Sequence, residues 1–181
     1  EMLGYGETDK PQATERYAAD HLLVDILALF EHLQLTKMDI VGHDWGALLL
    51  WHMALSHADR IAGMIVLNVP FYASPAEDPI HLMRKRLGRN FYIVNFQDSD
   101  EADRRFAEDV PHFFDIMMRR RQVTRARFDQ LPAEKKVLSL LAAMDRKQSG
   151  GEPLLTPAER EVYVRAFEAG GFSGPINWYR N

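Results

Sequence analysis

The chain has 181 residues, 46% hydrophobic and 27% charged, with 11 glycines, 9 prolines and no cysteine. This is a globular composition, too apolar for disorder and too evenly charged for a fibre, and long enough for one well-buried domain or a core with an appendage. A net charge of −4 supplies no global basic field for nucleic acid or an anionic membrane, and the absence of cysteine excludes a disulfide scaffold, a thiolate zinc site and a cysteine nucleophile together. No run of about 18 apolar residues exists to span a bilayer. The start, Glu1-Met2-Leu3-Gly4-Tyr5-Gly6, lacks the basic beginning and apolar middle of a signal peptide. A reducing cytoplasm is the location expected from cysteine usage.

In chain order, residues 4–13 carry turn chemistry, with Gly4, Gly6, Thr8, Asp9 and Pro11. An amphipathic helix is predicted from Thr14, its cap, with Leu22, Leu23, Ile26, Leu27, Phe30 and Leu33 on one face and Asp20, Asp25 and Glu31 opposite. Met38-Asp39-Ile40-Val41-Gly42 reads as a strand, 46–57 as a second helix and 62–68 as a further strand. This alternation predicts an α/β fold: a parallel sheet with covering helices, whose strands are apolar on both faces, as Met64 to Leu67 would be.

Past Val69 the texture changes, with Pro70, Pro75 and Pro79 in ten residues. From there helical periodicity dominates and no strand is convincing. Helices are predicted at 79–87, 100–110, 111–121, 133–146 and 157–169, the last capped by Thr156 with Pro157 at its first turn and Glu159 three residues after the cap. Ser149-Gly150-Gly151 reads as a turn and Gly170-Gly171 as a helix stop. The chain divides into a piece of α/β core, 1–71, and an all-helical module, 72–181.

The chemically informative stretch is Val41-Gly42-His43-Asp44-Trp45-Gly46-Ala47, where a strand turns into a helix. Glycines two residues either side of a central position have the spacing of a nucleophile elbow, which thrusts the central side chain clear of the sheet beside the free amides of the helix. Asp44 occupies that centre, where an esterase has serine. A carboxylate is nucleophilic without first losing a proton and can displace a leaving group from saturated carbon to give an ester. The Trp45 amide is a natural donor to the oxyanion formed when water attacks that ester. The residues alone also allow Asp44 to be no more than a helix cap, the lesser of the two readings.

Beyond the elbow, the sequence resembles the epoxide hydrolase branch of the α/β-hydrolase superfamily along nearly its whole length. Gly4-Tyr5-Gly6-Glu7-Thr8-Asp9-Lys10-Pro11 is similar to a loop following one of that family's core strands, and 41–46 to its aspartate elbow. Phe91-Tyr92-Ile93-Val94-Asn95-Phe96-Gln97 resembles the first tyrosine segment of the family's cap. Gly171-Phe172-Ser173-Gly174-Pro175-Ile176-Asn177-Trp178-Tyr179-Arg180-Asn181 matches the second, and this match is the most specific.

The resemblance implies a partial α/β-hydrolase core with a helical cap, a nucleophile at Asp44, and Tyr92 and Tyr179 as the pair that binds and protonates the epoxide oxygen. Tyr92, not position 95, is the match, from the order Tyr-x-x-x-Phe-Gln. The substrates implied are a small-molecule epoxide and water, with no cofactor. An opening epoxide expels an alkoxide and so needs an acid, and tyrosine hydroxyls remain protonated at neutral pH. From the residues alone Tyr92 reads rather as a packing aromatic with its hydroxyl at the surface, and Tyr179 as an ordinary loop aromatic.

Trp45 and Trp178 are expected in a pocket wall, His43 in a lining or structural role, and Trp51 against the sheet. His52 and His57 are five apart and no His-Glu-x-x-His occurs, so no metal is expected. Arg119, Arg120, Arg121, Arg125 and Arg127 read as solvated surface offset by acids rather than as a nucleic-acid patch. No membrane partner is expected, and a homo-oligomer is left open.

No histidine follows His112, so the base that activates water is not assignable, and neither is its acidic partner or a second oxyanion donor. With its non-methionine start, the chain reads as a central segment of a longer enzyme. Two rival functions stay open: a haloalkane dehalogenase using Asp44, with the Trp45 N–H holding the halide, and a non-catalytic ligand-binding relative.

Overall fold

The computed structural model describes residues 1–73, 75–120, 124–147 and 150–181. They form two compact units, one of Pro11–Ser74 with Asn181, the other of Glu1–Lys10 with Pro75–Arg180.

The first unit alternates helix and strand as the sequence predicts: α1 (Ala19–His32), β1 (Met38–His43), α2 (Trp45–Ser56) and β2 (Ile61–Leu67). The strands pair in parallel, from Met38 opposite Ile61 to His43 opposite Leu67, with an irregularity between Met38 and Asp39. Leu23, Phe30 and Met53 form the core of this unit, joined by Ile26, Leu27, Met38, Ile40 and Ile61. Both helices thus bury the same face of the sheet, where apolar contact is the main stabilising term.

Three expectations are corrected here. Thr14 does not cap a helix: it opens a 3-10 turn, Thr14–Tyr17, and extended Ala18 (ψ 145°) interrupts the chain before α1, which has no side-chain cap. Leu33 leaves the buried face, because it terminates α1 outside the helical register and is 53% exposed. The strands are not buried on both faces, since Val41, Ile65 and Leu67 are exposed opposite the helix-covered side.

The second unit holds α3 (Pro79–Leu87), α4 (Tyr92–Asp98), α5 (Glu101–Glu108), α6 (Val110–Met117), β3 (Arg119–Arg120), α7 (Arg125–Asp129), α8 (Leu140–Met144), β4 (Glu152–Pro153), α9 (Pro157–Gly170) and α10 (Ser173–Asn177). Its core is aromatic: Phe96, Phe106, Phe114 and Phe172 are buried together with Val110, Met144, Val164 and Ile176. Many of these rings meet edge to face, as Phe106 and Phe172 do at 5.5 Å, the arrangement favoured by the ring quadrupole. Arg160 clamps α9 to α6 through two 2.7 Å bonds to Asp115 and one of 3.1 Å to the Pro111 carbonyl.

Residues 1–10 pack with this second unit. The Trp178 indole donates to the Leu3 carbonyl at 2.9 Å, and the Tyr5 ring meets Phe167 at 6.4 Å. Within the loop, Lys10 Nζ donates to the carbonyls of Gly6 and Thr8 at 2.6 and 2.9 Å.

The expectation of a strandless helical module is corrected by β3 and β4, a two-residue antiparallel pair with Arg119 opposite Pro153 and Arg120 opposite Glu152. That pairing also shortens the helix predicted to run to Arg121. It ends at Met117 because Met118 (ψ 62°) turns the chain into β3, and Arg121 itself lies outside the described residues. The helix predicted over 133–146 is only a 3-10 turn, Ala133–Lys135, and α8; extended Ser139 separates them and caps α8 through Ala142 N–H at 3.3 Å. Ser149, part of a predicted turn, is likewise outside the described residues. Among the described residues, no helix is long and apolar enough to cross a membrane, and no group of three or more His, Cys, Asp or Glu is arranged to hold a metal ion.

Candidate active site

The elbow rests on one closely packed glycine, Gly42, and one strained residue, whereas a Cβ on Gly46 would meet nothing within 4 Å. A Cβ on Gly42 would stand 2.5 Å from the Gly46 carbonyl oxygen and 2.9 Å from the Ala47 nitrogen, so the strand can pass this close to the helix only as glycine. Between them Asp44 has φ 55° and ψ −119°. An ordinary N-cap residue lies in the extended region and accepts from the second or third helical amide. Asp44 departs from both habits: its Oδ1 accepts from the adjacent Trp45 N–H at 3.0 Å, while its carbonyl accepts from Ala47 N–H, also at 3.0 Å. A non-glycine residue at positive φ costs about 1–2 kcal/mol. A cap alone offers nothing that needs this conformation.

Asn68, just past β2, is the residue that sequence reasoning missed. Its Oδ1 accepts from the Asp44 backbone N–H at 3.2 Å, and its own φ is 57°. The signal in the sequence was a polar residue ending an apolar strand, a position where asparagine tolerates the left-handed region. Asp44 is exposed, as is His43 at the end of β1; Trp45, the first residue of α2, is half-buried. Trp51 lies farther along α2, where its indole donates to the Val69 carbonyl at 2.9 Å and its ring meets Phe71 at 5.4 Å. His52 pairs with Asp20 at 2.7 Å, and His57 with Ser56 Oγ at 2.8 Å.

In the helical unit the structure brings Tyr92 and Tyr179 together. Their ring centroids are 5.5 Å apart with an interplanar angle of 74°, and Phe96 completes a triangle at 5.7 Å from Tyr92 and 5.4 Å from Tyr179. Tyr92 opens α4, and its N–H donates to the Leu138 carbonyl at 3.0 Å. Tyr179 follows α10 in a turn closed by its N–H on the Ile176 carbonyl at 2.9 Å. Both side chains are half-buried, whereas Trp178 is 2% exposed and its single N–H donor is spent on Leu3. In the basic run, Arg119 donates to the Asp115 and Gly151 carbonyls and Arg125 pairs with Asp129.

Residues 1–133 match the family model described as alpha/beta hydrolase fold, and the chain belongs to that family. Among curated proteins it is 33% identical over 189 residues to epoxide hydrolase A of Mycobacterium tuberculosis, a match covering 100% of this chain and 56% of that protein. It is 29% identical over 182 residues to bifunctional epoxide hydrolase 2 of Sus scrofa, covering 100% of this chain and 32% of that one. Among solved structures, epoxide hydrolase A from Mycobacterium thermoresistibile superposes with a TM-score of 0.83 at 28% identity, over 100% of this chain and 57% of that one. The chain thus spans between about a third and just over half the length of these relatives.

Proposed function

We propose that the chain carries the nucleophile and the acid pair of an epoxide hydrolase. The observation that carries this reading is the strained Asp44, exposed at a glycine-flanked elbow with one carboxylate oxygen already held by a backbone amide. The similar proteins, named epoxide hydrolases, support the same substrate class.

In the first half-reaction the other carboxylate oxygen of Asp44 attacks an epoxide carbon. A C–O bond forms to make an ester, the ring C–O bond breaks, and its electron pair stays on the departing oxygen. Tyr92 and Tyr179 donate hydrogen bonds to that oxygen, and one supplies its proton. In the second half-reaction base-activated water attacks the carbonyl carbon of the ester. Negative charge gathers on the oxygen that faces Trp45 N–H, which stabilises it. Collapse breaks the ester C–O bond, and the protonated base gives its proton to the departing diol oxygen. The second proton of the water passes to the tyrosinate, which restores the Asp44 carboxylate and the acid.

The tyrosine pair favours an epoxide over a haloalkane, because a halide leaves without a proton. A panel pairing an epoxide with a chloroalkane, run on the whole protein and not on this segment alone, tests the assignment. Turnover of the epoxide alone is expected; turnover of the chloroalkane alone supports the dehalogenase reading, and binding without turnover of either supports the non-catalytic one. Cytoplasmic location is part of this reading, checked by fractionating cells that express the protein.

A further inference from the structure

We infer that Gln97 and Arg180 form a reciprocal clamp that sets the spacing of the two tyrosines, and that both are positioning residues for epoxide opening. This rests on the acid role proposed above.

Arg180 directly follows Tyr179. Its guanidinium uses five N–H donors on five acceptors: Nε on the Phe96 carbonyl at 2.8 Å, Nη1 on Asp103 Oδ1 at 3.2 Å and Asn177 Oδ1 at 3.0 Å, and Nη2 on Asp103 Oδ2 at 2.6 Å and the Ser99 carbonyl at 3.0 Å. The Arg180 and Asp103 side chains are only 18% and 12% exposed. The residue beside the second tyrosine therefore grips the helix that begins with the first, together with α5. Gln97, on that same helix, grips in return: its Nε2 donates to the Tyr179 carbonyl and, at 3.3 Å, to the Ile93 carbonyl. Phe96 lies between the two grips, with its backbone on Arg180 and its ring against both tyrosines.

The residue types follow from the geometry. Only a planar guanidinium can hold a carboxylate with two bonds while three further N–H groups reach carbonyl and amide oxygens. A lysine ammonium has three donors and no fork. The ring quadrupoles favour the edge-to-face angle, but ring packing does not tie the backbone of one tyrosine's segment to that of the other. Hydrogen bonds from each tyrosine's own segment to the other's fix the relative position of the two hydroxyl-bearing rings.

The test uses Gln97→Met and Arg180→Lys, with fluorotyrosine resonances of Tyr92 and Tyr179 assigned from their Phe variants and with steady-state epoxide kinetics. Gln97→Met keeps side-chain length and the Arg180–Asp103 pair, so it remains informative if Arg180→Lys does not fold. Movement of both resonances is expected, with kcat lowered about 10- to 100-fold and KM within about twofold of the unaltered protein. A purely structural role lowers the unfolding midpoint but leaves kcat of the folded protein unchanged, and that result overturns the inference. Unmoved resonances in Gln97→Met also overturn it. If the whole protein, with its base present, opens no epoxide, the proposed function itself fails, and the resonances alone decide whether the clamp sets the ring geometry.

Discussion

The backbone N–H of Asp44 donates to Asn68 Oδ1 at 3.2 Å, and both residues sit at positive φ, 55° and 57°. Two conformationally costly residues at the ends of neighbouring parallel strands are thus held by one bond. Asn68→Gly removes the acceptor while keeping the left-handed conformation accessible. The expected result is about a tenfold slower formation of the Asp44 ester with KM little changed, read by single-turnover mixing. An unchanged rate removes Asn68 from the elbow's support.

Tyr92→Phe and Tyr179→Phe each remove one hydroxyl from rings 5.5 Å apart. Each is expected to slow epoxide opening at least about tenfold, and the double variant by about 10²–10⁴-fold, the usual worth of general acid help. Near-native unfolding midpoints are expected throughout, since both rings remain. Full epoxide turnover in the double variant removes the acid role.

Tyr17 gives an expectation of opposite sign. It is 2% exposed, its hydroxyl has no hydrogen-bond partner among the described residues, and burial pushes its pKa up. An unsatisfied buried hydroxyl costs about 1–3 kcal/mol. Tyr17→Phe is therefore expected to stabilise the α/β unit by about 1 kcal/mol, measured by urea unfolding. Destabilisation would indicate a hydroxyl partner.

Acid sensitivity follows from Asp115. The Arg160 guanidinium holds its carboxyl below the usual carboxylate range through two 2.7 Å bonds. A carboxyl depressed in the fold contributes its full stability above the unfolded value of about 3.9 and loses that contribution as pH falls through the lower folded value. Asp98, held down by Arg84, adds a second contribution of the same sign. Because Asp115 is 44% exposed, its share is about 1 kcal/mol or less. Asp115→Asn is expected to lower stability at neutral pH and to flatten its decline below about pH 4, followed by thermal unfolding across pH. An unaltered pH profile in that variant would contradict the assignment.

Local rules made much of this molecule legible. Thr156, Pro157 and Glu159 announced α9, and the structure has the full capping box, with Glu159 accepting from Thr156 N–H at 2.8 Å. The Gly42–Gly46 spacing marks the elbow in the sequence, although only Gly42 has no room for a Cβ; one on Gly46 would meet nothing within 4 Å. Nonlocal partners were not legible. The sequence reading has no α4 because Phe91-Tyr92-Ile93-Val94 reads as an apolar run, and the rings that pack against this helix, Phe106 and Tyr179 among them, are distant in sequence. Asn68 was missed because its partner lies 24 residues away. The β3–β4 pair is too short to show a period, and its strands are joined only by long-range register.

Where the oxygen of the first turnover ends up tests the central claim most directly. In a single turnover of an epoxide in heavy-oxygen water, with protein in excess, the label is expected in the Asp44 carboxylate and not in the diol. The ester route passes the aspartate's own oxygen to the product and takes its replacement from water. Label appearing in the diol of that first turnover, with an unlabelled Asp44 peptide, would contradict covalent catalysis by Asp44.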